Sequence, residues 1–294
     1  MATVPWADRR AALEAGPAAW IMDVGMHRGD DTAFFLSKQF HVVGVDANPG
    51  FVQANRVRFA AEEAEGRLRI VHAAIAEREG QAQYWAFPGK DVWGTMDPAH
   101  AQRNISRGYS CEVLQVPCRR FRDILEECGV PYYLKIDIEG ADLLCLRGLA
   151  EVPGRPAFVS LELPLESADA AFEPLAQLHG LGYRRFQLMD QALNPSRRCP
   201  RPPAEGAYST MAFNMDMSGL FGRELPGKWE GIEAISRQIQ RAVKAECRFG
   251  DDRPGHRYGW IRNGIRRARQ QWRTPRAWRA ALTTTSWYDL HAEY

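Results

Sequence analysis

The fold is decided by the stretch WIMDVGMHRGDDT, residues 20–32. Trp20–Val24 is an apolar run of strand length, and two glycines among polar residues follow it before a helical pattern begins. Gly25 and Gly29 let the backbone turn sharply and come close to a ligand, because no Cβ atom stands in the way. The stretch therefore predicts a strand, a glycine turn and a helix, which is the repeating unit of open α/β sheets.

Further segments of strand character alternate with helical patterns along the chain. This alternation predicts βαβ units and an α/β fold with a Rossmann-like, mostly parallel sheet of seven strands. Helices are predicted at Arg119–Cys128, where apolar residues recur at helical spacing before Gly129, and from Gly140 to near Gly148. The predicted strands are Trp20–Val24, His41–Val45, Leu68–Ala73, Tyr132–Ile136, Ala157–Leu161, Tyr183–Leu188 and Thr210–Asn214.

An insertion interrupts the alternation between the third and fourth of these strands. Gln81–Phe87 and Glu112–Pro117 are rich in β-forming residues, and residues 88–110 between them are mostly polar. We predict an antiparallel insertion over residues 81–118 whose loop reaches over the site and contacts the substrate. The polar and aromatic side chains of this loop, which indicate no particular substrate, include Trp93, Thr95, Asp97, His100 and Arg103.

The composition is that of an ordinary globular chain, with 294 residues, 45% apolar and 25% charged, and a formal net charge of +2. No apolar run approaches the roughly 20 residues that span a bilayer, and the first residues lack the apolar core of a signal peptide. We therefore expect a cytoplasmic protein that does not bind a membrane. The six cysteines form no C-x-x-C pair, so we expect neither a zinc site nor a disulfide framework.

Three regions follow from these patterns: a helical lead-in over residues 1–19, a Rossmann-like domain over 20–215 and a basic helical C-terminal extension over 216–294. Between Arg237 and Arg279 there are thirteen Lys and Arg residues and only three acidic ones. Such a run is typical of a solvated helix face; a lid, a dimer element and a surface for an anionic partner are the alternatives. Two apolar stripes at helical spacing support the extension, one at Ile232, Ile235, Ile239 and Val243 and a looser one at Trp260, Ile261, Ile265 and Trp272.

The glycine turn is acidic, and this bears on the ligand that it can take. It departs from the G-x-G-x-x-G pattern, which weakens a dinucleotide interpretation. Asp23, Asp30 and Asp31 make its mouth unfavourable for a pyrophosphate and favourable for a cation. S-adenosylmethionine, which carries a sulfonium and an ammonium, meets this requirement.

The tips of the next two strands support a ligand that contains adenosine. Asp46 ends the second strand about twenty residues after the glycine turn, where an acidic residue of this fold accepts hydrogen bonds from ribose hydroxyls. A simple turn residue ahead of Asn48 is the alternative. Ala73 and Ala74 follow the third strand, and their small side chains leave room for an adenine ring.

The fourth strand is unusually charged at its tip, with the sequence Leu134-Lys135-Ile136-Asp137-Ile138-Glu139-Gly140-Ala141-Asp142. Alternation along a strand sends Lys135, Asp137 and Glu139 to one side, at the sheet edge where α/β enzymes assemble their sites. Charge at this position is costly unless it is paired or used in function. The alternative is structural, with a Lys135–Asp137 ion pair and Glu139 capping the next helix.

These motifs together resemble the FkbM family of methyltransferases. The resemblance is carried by Asp-Val-Gly-x-x-x-Gly-x-x-Thr at 23–32, Val-Asp-Ala-Asn-Pro at 45–49, Leu-Lys-Ile-Asp-Ile-Glu-Gly-Ala-Asp at 134–142 and Leu-Arg-Gly at 146–148. It implies a class I methyltransferase fold, S-adenosylmethionine as the methyl donor and, usually, a hydroxyl oxygen of a sugar, polyketide or other small molecule as the acceptor. Met26-His27-Arg28 departs from the residues that members commonly carry there, so His27 is expected to face donor or substrate differently.

The motifs and the resemblance lead to one set of predicted site residues. Methyl transfer requires alignment of the reacting groups and, for an alcohol, a base that takes one proton. The catalytic candidates are Asp137, Glu139 and His27, with less support for His100. We expect no metal, although Asp137 and Glu162 end neighbouring strands. The predicted donor-binding residues are Asp23, Gly25, Gly29, Thr32, Asp46, Asn48, Ala74 and Asp137.

Two other functions remain open at this point. A nicotinamide-dependent oxidoreductase would use the same glycine turn and the same ribose carboxylate, but the charged fourth strand disfavours it. A nonenzymatic nucleic-acid-binding protein would use the basic extension, and its binding would weaken steeply with salt. We expect a small-molecule hydroxyl acceptor as the partner, regard nucleic acid as less well supported, and leave a homodimer open.

Overall fold

The computed structural model describes residues 19–89, 94–138, 140–165, 167–249 and 287–294, with side chains in the helix before residue 250 described up to residue 245. The chain divides into two compact units. The first contains the described residues up to Leu161 together with Gly206–Ser209, and the second contains Glu162–Glu205 and the described residues from Thr210 to Tyr294. The predicted lead-in and most of the basic run lie outside the described residues, and the predicted domain boundaries stay predictions.

The helices and strands alternate through most of the first unit, as expected for βαβ units. In chain order the elements are β1 (Trp20–Val24), α1 (Asp30–Ser37), β2 (His41–Asp46), α2 (Pro49–Arg58), α3 (Ala60–Ala64), β3 (Leu68–His72), β4 (Ala74–Ile75), β5 (Gly80–Ala86), α4 (Pro98–Ser106), β6 (Glu112–Arg119), α5 (Phe121–Cys128), β7 (Tyr133–Ile136), α6 (Asp142–Ala150), β8 (Phe158–Glu162), α7 (Ala168–Gly180), β9 (Arg185–Asp190), α8 (Ile232–Phe249) and β10 (Tyr288–Glu293).

The main sheet has seven strands in the order β3-β2-β1-β7-β8-β10-β9. Its pairs are parallel from β3 to β8, and β10 runs antiparallel to β9. The chain moves outward from β1 to β3 and then returns to β7 on the other side of β1. The strand order therefore reverses between β1 and β7, and the crevice at their carboxyl ends is where open α/β sheets bind ligands.

The sheet is built from buried apolar strands, and favourable groups at the starts of two helices support the helices beside it. All five residues of β1 are buried, which suits a central parallel strand covered on both faces. In α1, two acidic residues occupy the first turn, where the helix dipole favours negative charge. Asn48 caps α2 by accepting a hydrogen bond from the Gly50 N–H at 2.9 Å, and Pro49 follows in the first turn.

The predicted mostly parallel sheet of seven strands is confirmed, but one predicted strand is wrong. Thr210–Asn214 forms no strand, although its alternation is real, since Phe213 is buried between exposed neighbours. The seventh strand is instead β10, which pairs with β9 through a register that sets Leu290 opposite Leu188. A segment that lies outside the sheet with alternate residues buried has the same alternating pattern as a strand, so the local sequence does not distinguish the two.

The insertion forms its own three-stranded sheet in the order β4-β6-β5. β5 and β6 pair antiparallel, as the sequence predicts, and β4 adds a short parallel strand that the sequence analysis missed. A small core holds the sheet together, with Ala74, Tyr84, Val116 and Cys118 buried in it. The loop after β5 folds back on that strand, because Thr95 and Trp85 exchange backbone hydrogen bonds of 2.9 and 3.1 Å.

The helices predicted around residues 119–128 and after Gly140 are present as α5 and α6. In α5 the buried residues are Phe121, Ile124, Leu125 and Cys128, and Gly129 follows with φ 92. In the second unit α8 buries Ile235 and Ile239 of the first predicted stripe. The second predicted stripe lies outside the described residues. Within the part of the chain that the structure describes, no helix has the length and apolar character needed to cross a bilayer.

Candidate active site

The crevice between β1 and β7 is shaped by Gly25. This residue has φ 89, and its N–H donates to the Val45 carbonyl at the end of β2 at 2.9 Å. A Cβ atom at this position would lie 1.7 Å from the backbone oxygen of Asp137. Only glycine fits here, because the turn crosses directly over the residue that follows β7.

A second glycine lets α1 begin against α2. Gly29 has φ 78 and precedes the first residue of α1. A Cβ atom here would lie 2.5 Å from Oδ1 of Asn55 and 2.6 Å from the Phe59 ring. Both glycines predicted from the sequence therefore serve the turn itself, by allowing backbone conformations and contacts that a side chain would prevent.

Lys135 on β7 is the centre of the site's charge. Its Nζ lies 3.1 Å from Oδ1 of Asp23, 3.4 Å from Oδ2 of Asp31 and 3.7 Å from Oδ2 of Asp137. It also donates to the Gly25 carbonyl at 3.2 Å. One buried ammonium therefore ties together β1, the glycine turn, α1 and the tip of β7.

The carboxylates around Lys135 outnumber it. Burial by itself would lower the pKa of Lys135, but the negative charges of Asp23, Asp31 and Asp137 outweigh burial and hold its pKa well above the ordinary value. Lys135 is therefore a cation at any physiological pH. Three carboxylates around one cation leave the crevice acidic, which favours a positively charged ligand.

Asp46 adds a fourth carboxylate at the end of β2. Its Oδ2 accepts a hydrogen bond from the His27 N–H at 2.6 Å, and its Oδ1 accepts one from the Asn48 N–H at 2.8 Å. Burial raises the pKa of this carboxyl to about 6, although the two backbone hydrogen bonds oppose the rise. Each carboxylate oxygen retains a lone pair for a further donor, so Asp46 can still accept hydrogen bonds from a ligand.

Comparison with known proteins identifies the family of this chain. The model of the methyltransferase FkbM domain matches residues 23–185, more than half of the chain. The chain belongs to the FkbM methyltransferase family. The resemblance drawn from the motifs is thereby confirmed, and S-adenosylmethionine is the methyl donor of this methyltransferase.

Solved structures of other methyltransferases resemble this one weakly. A SAM-dependent methyltransferase from Archaeoglobus fulgidus is 11% identical, with a TM-score of 0.36 over 98% of this chain and 92% of that one. One from Thiobacillus denitrificans, in complex with S-adenosyl-L-homocysteine, is 13% identical, with a TM-score of 0.32 over 98% and 89%. Precorrin-6y C5,15-methyltransferase from Geobacter metallireducens is 12% identical, with a TM-score of 0.34 over 63% and 73%. Among curated proteins the chain has no match.

The chemistry of the FkbM site fits the donor. The sulfonium and ammonium of S-adenosylmethionine are cations, and the crevice between β1 and β7 carries an excess of carboxylates around Lys135. The ribose of the donor has two hydroxyl groups that donate hydrogen bonds, and Asp46 is a buried acceptor at the adjacent strand tip.

Three of the predicted donor-binding residues of the methyltransferase have structural contacts instead of open faces. Thr32 is fully buried and donates from Oγ1 to Oδ2 of Asp23 at 2.7 Å, which orients the carboxylate that Lys135 binds. Asn48 caps α2 with its side chain. Ala74 is buried at the start of β4, in the core of the insertion. Their roles in binding the donor stay predictions.

The predicted catalytic residues lie in different settings. Asp137 follows β7, and its side chain is 41% exposed. His27 has φ 50, and its ring packs edge-on against Phe51 with 4.4 Å between the ring centroids. Its carbonyl accepts a hydrogen bond from Nδ2 of Asn55 at 2.6 Å, so α2 holds this residue in place. Glu139 lies outside the described residues.

Sequence analysis missed the part that Asp142 plays in this site. Its carboxylate accepts hydrogen bonds from the backbone N–H groups of Ile138 and Gly140 at 3.3 and 3.1 Å. Burial, together with the charge of Asp137, raises the pKa of Asp142. The residue therefore holds the backbone at Ile138 and at Gly140 against the start of α6. The available signal was a short acidic residue at the predicted start of a helix, because such side chains commonly satisfy N–H groups there.

Proposed function

We propose that this methyltransferase transfers the methyl group of S-adenosylmethionine to a hydroxyl oxygen of a small molecule. The observation that carries the proposal is the unequal exposure of the three carboxylates around Lys135. The side chains of Asp23 and Asp31 are 0% and 5% exposed, whereas that of Asp137 is 41% exposed. Asp137 is therefore the one of the three that a ligand can reach, and it presents a base at the tip of the central strand.

The donor would be held by backbone and carboxylate groups on three neighbouring segments. The turn at Gly25 and Gly29 brings backbone close to the ligand, and Asp46 accepts hydrogen bonds from the ribose. The carboxylates beside Lys135 favour the positive charge of the donor. When bound, S-adenosylmethionine supplies an electrophilic methyl group with a good leaving group.

We assign to Asp137 the task of accepting the hydroxyl proton of the acceptor. A carboxylate is a weak base toward a free alcohol. Asp137 therefore accepts the proton while the hydroxyl oxygen donates its electron pair to the methyl carbon. The fixed ammonium of Lys135 stabilises the carboxylate before the proton arrives. His27 and Glu139 are the further candidates for this task.

The donor assignment is tested by calorimetry with S-adenosylmethionine and, separately, with NADH. We expect the first to bind and the second not to bind. Asp46→Ala should abolish binding of the donor, whereas Asp216→Ala, which removes an exposed carboxylate of the second unit, should leave it unchanged. Binding of NADH, without binding of S-adenosylmethionine, would instead support the oxidoreductase interpretation.

The acceptor assignment is tested by transfer of labelled methyl groups to a panel of small alcohols and phenols and to matched amines. We expect label on oxygen. Asp137→Asn should lower turnover at saturating donor by about 10²-fold or more, as loss of a general base requires. Label on the amines, or full turnover in Asp137→Asn, would contradict the assignment.

We also propose that the partner of this enzyme is a small molecule and not a nucleic acid. The support is the donor crevice, which is acidic and would repel a phosphate backbone. Titration with RNA and duplex DNA at low and high salt should show no binding that depends steeply on salt. Salt-sensitive binding would instead assign a role to the basic C-terminal run.

A further inference from the structure

The donor turn, residues 25–29, follows β1 and has an unusual backbone conformation. Three of its five residues have positive φ: Gly25 at 89, His27 at 50 and Gly29 at 78. Glycine adopts such values readily, whereas the Cβ atom of any other residue comes too close to the following carbonyl oxygen. His27 therefore holds a conformation that its own backbone disfavours.

Side chains from the segment that ends β2 and begins α2 hold His27 at three points. Its N–H donates to Oδ2 of Asp46 at 2.6 Å, and its carbonyl accepts from Nδ2 of Asn55 at 2.6 Å. Its ring packs edge-on against Phe51, with 4.4 Å between the ring centroids. Phe51 and Asn55 lie one turn apart on α2 and so face the same side. The conformation of the donor turn is thus imposed by residues outside it.

Asn55 contacts both ends of the left-handed part of the turn. Its side chain is polar, yet the residue is only 1% exposed. Its Nδ2 donates to the His27 carbonyl, and its Oδ1 lies 2.5 Å from the position that a Cβ atom would take at Gly29. Burial of an amide is costly unless it makes hydrogen bonds, and this amide makes its bond to the strained residue.

Arg58 gives α2 a second link to the turn, but an exposed one. Its Nη1 donates to the Arg28 carbonyl at 2.5 Å and to Oδ1 of Asp30 at 2.9 Å. The side chains of Arg58 and Asp30 are 42% and 31% exposed. An ion pair exposed to this degree contributes little, because water competes for both charges. The buried Asn55 is therefore the residue of α2 on which the turn depends most.

The shape of the donor turn matters for the donor at both of its neighbours. Gly25 lies in the turn against the backbone oxygen of Asp137, and the His27 N–H binds the carboxylate that we propose for the ribose. A turn that relaxed at His27 would shift both. Only the fraction of molecules with the competent turn binds the donor, and the apparent Kd rises as the reciprocal of that fraction.

We propose that Asn55 is a positioning residue for S-adenosylmethionine. It acts through the His27 carbonyl, keeps the donor turn in its left-handed conformation and does not contact the donor. The inference rests on the donor site of the proposed function and adds to it a residue that lies outside the sequence motifs. It also explains how a histidine can stand where the backbone favours glycine.

Calorimetry with S-adenosylmethionine tests the role of Asn55. Asn55→Ala should weaken binding about five- to thirtyfold, the factor that corresponds to the cost of a left-handed residue with a Cβ atom. Arg56→Ala, at the exposed neighbouring position, is the matched control and should bind like the wild type. Both variants place the same helix-favouring residue in α2, so helix formation does not separate them. Unchanged affinity in Asn55→Ala would overturn the proposal.

Substitutions at His27 distinguish positioning from a merely structural role. Glycine adopts positive φ without strain, so in a His27→Gly background Asn55→Ala should weaken donor binding by less than about twofold. His27→Ala removes the ring but keeps the Cβ atom, and in that background the loss should remain about five- to thirtyfold. An equal loss in the two backgrounds would contradict the proposal, because Asn55 would then not act against strain at His27.

A further variant and a further measurement complete the test. If Asn55→Ala does not fold, Asn55→Ser takes its place with the same expected losses, since the shorter side chain does not reach the His27 carbonyl. Donor binding by the wild type and its loss in Asp46→Ala test the donor site itself. If both are observed and Asn55→Ala binds normally, the role of Asn55 alone is refuted. If the wild type binds no donor, the proposed function fails.

Discussion

Replacing Asp46 with asparagine should make the protein more stable relative to the wild type as pH rises from 4 to 8, while it abolishes donor binding. Burial raises the pKa of Asp46 from 3.8 to about 6 in the folded chain. A shift of about two units corresponds to about 3 kcal/mol, since one unit is 1.36 kcal/mol. Asparagine carries no charge, so the variant avoids the cost of ionisation. Its amide nitrogen cannot accept one of the two backbone N–H groups that bind the carboxylate, which costs about 1–3 kcal/mol at every pH.

The sign follows from proton binding in the two states. Between pH 3.8 and about 6 the folded protein holds a proton on Asp46 that the unfolded chain has released. The free energy of unfolding therefore falls as pH rises through this window, and the full cost is present above it. The difference in unfolding free energy between Asp46→Asn and the wild type should therefore be about 2–3 kcal/mol more favourable to the variant near pH 8 than near pH 4.

Urea unfolding of the two proteins at both pH values measures this difference. Asp216→Asn, which removes an exposed carboxylate, is the matched control and should show no such dependence on pH. The same difference between the two proteins at both pH values would refute the argument that burial raises this pKa.

Three other perturbations follow from the same site. Affinity for S-adenosylmethionine should fall as pH drops below about 6, by up to about tenfold per pH unit, because protonated Asp46 loses an acceptor for the ribose. Affinity that calorimetry finds constant from pH 5 to pH 8 would contradict this role of Asp46. Lys135→Met should lower the free energy of unfolding by about 3–5 kcal/mol, since it leaves buried carboxylates unpaired. If urea unfolding shows a decrease of less than about 1 kcal/mol, the ion pairs of Lys135 contribute little to stability. Gly25→Ala should abolish donor binding, because its Cβ atom would clash with the carbonyl of Asp137. Gly108→Ala is the control for backbone strain alone, since Gly108 has φ 88 and open space around it, and this variant should bind the donor normally. Equal donor binding by both variants would disprove the close approach of Gly25 to Asp137.

Much of the fold could be predicted because the signals are local. Each parallel strand from β1 to β8 in the main sheet is a short apolar run, and burial on both faces selects such runs whatever the rest of the chain does. β10 carries no comparable signal, since Asp289 and His291 are buried in it beside Leu290 and Ala292. Its place in the sheet comes from pairing with β9, about a hundred residues earlier, and pairing at that separation leaves no mark in a short window of sequence.

The site was predictable to the extent that it depends on strand tips. Asp46 and Asp137 could be placed at the sheet edge because each ends a recognisable strand. The link between Lys135 and Asp23 was not predictable, because it depends on the register that sets these two residues side by side on β7 and β1. The structural alternative drawn from the sequence paired Lys135 with Asp137, and that distance is 3.7 Å, whereas the one to Asp23 is 3.1 Å.

The arrangement of charge in the crevice costs the free protein stability that a cationic ligand can return. Asp46 is ionised at neutral pH although burial disfavours it, and three carboxylates share the single ammonium of Lys135. Apolar residues of similar size would often pack there at lower free energy. Binding of a positively charged donor with ribose hydroxyls relieves both costs at once. The buried charges are therefore better explained by the donor than by the fold, since functional sites commonly sacrifice stability in this way.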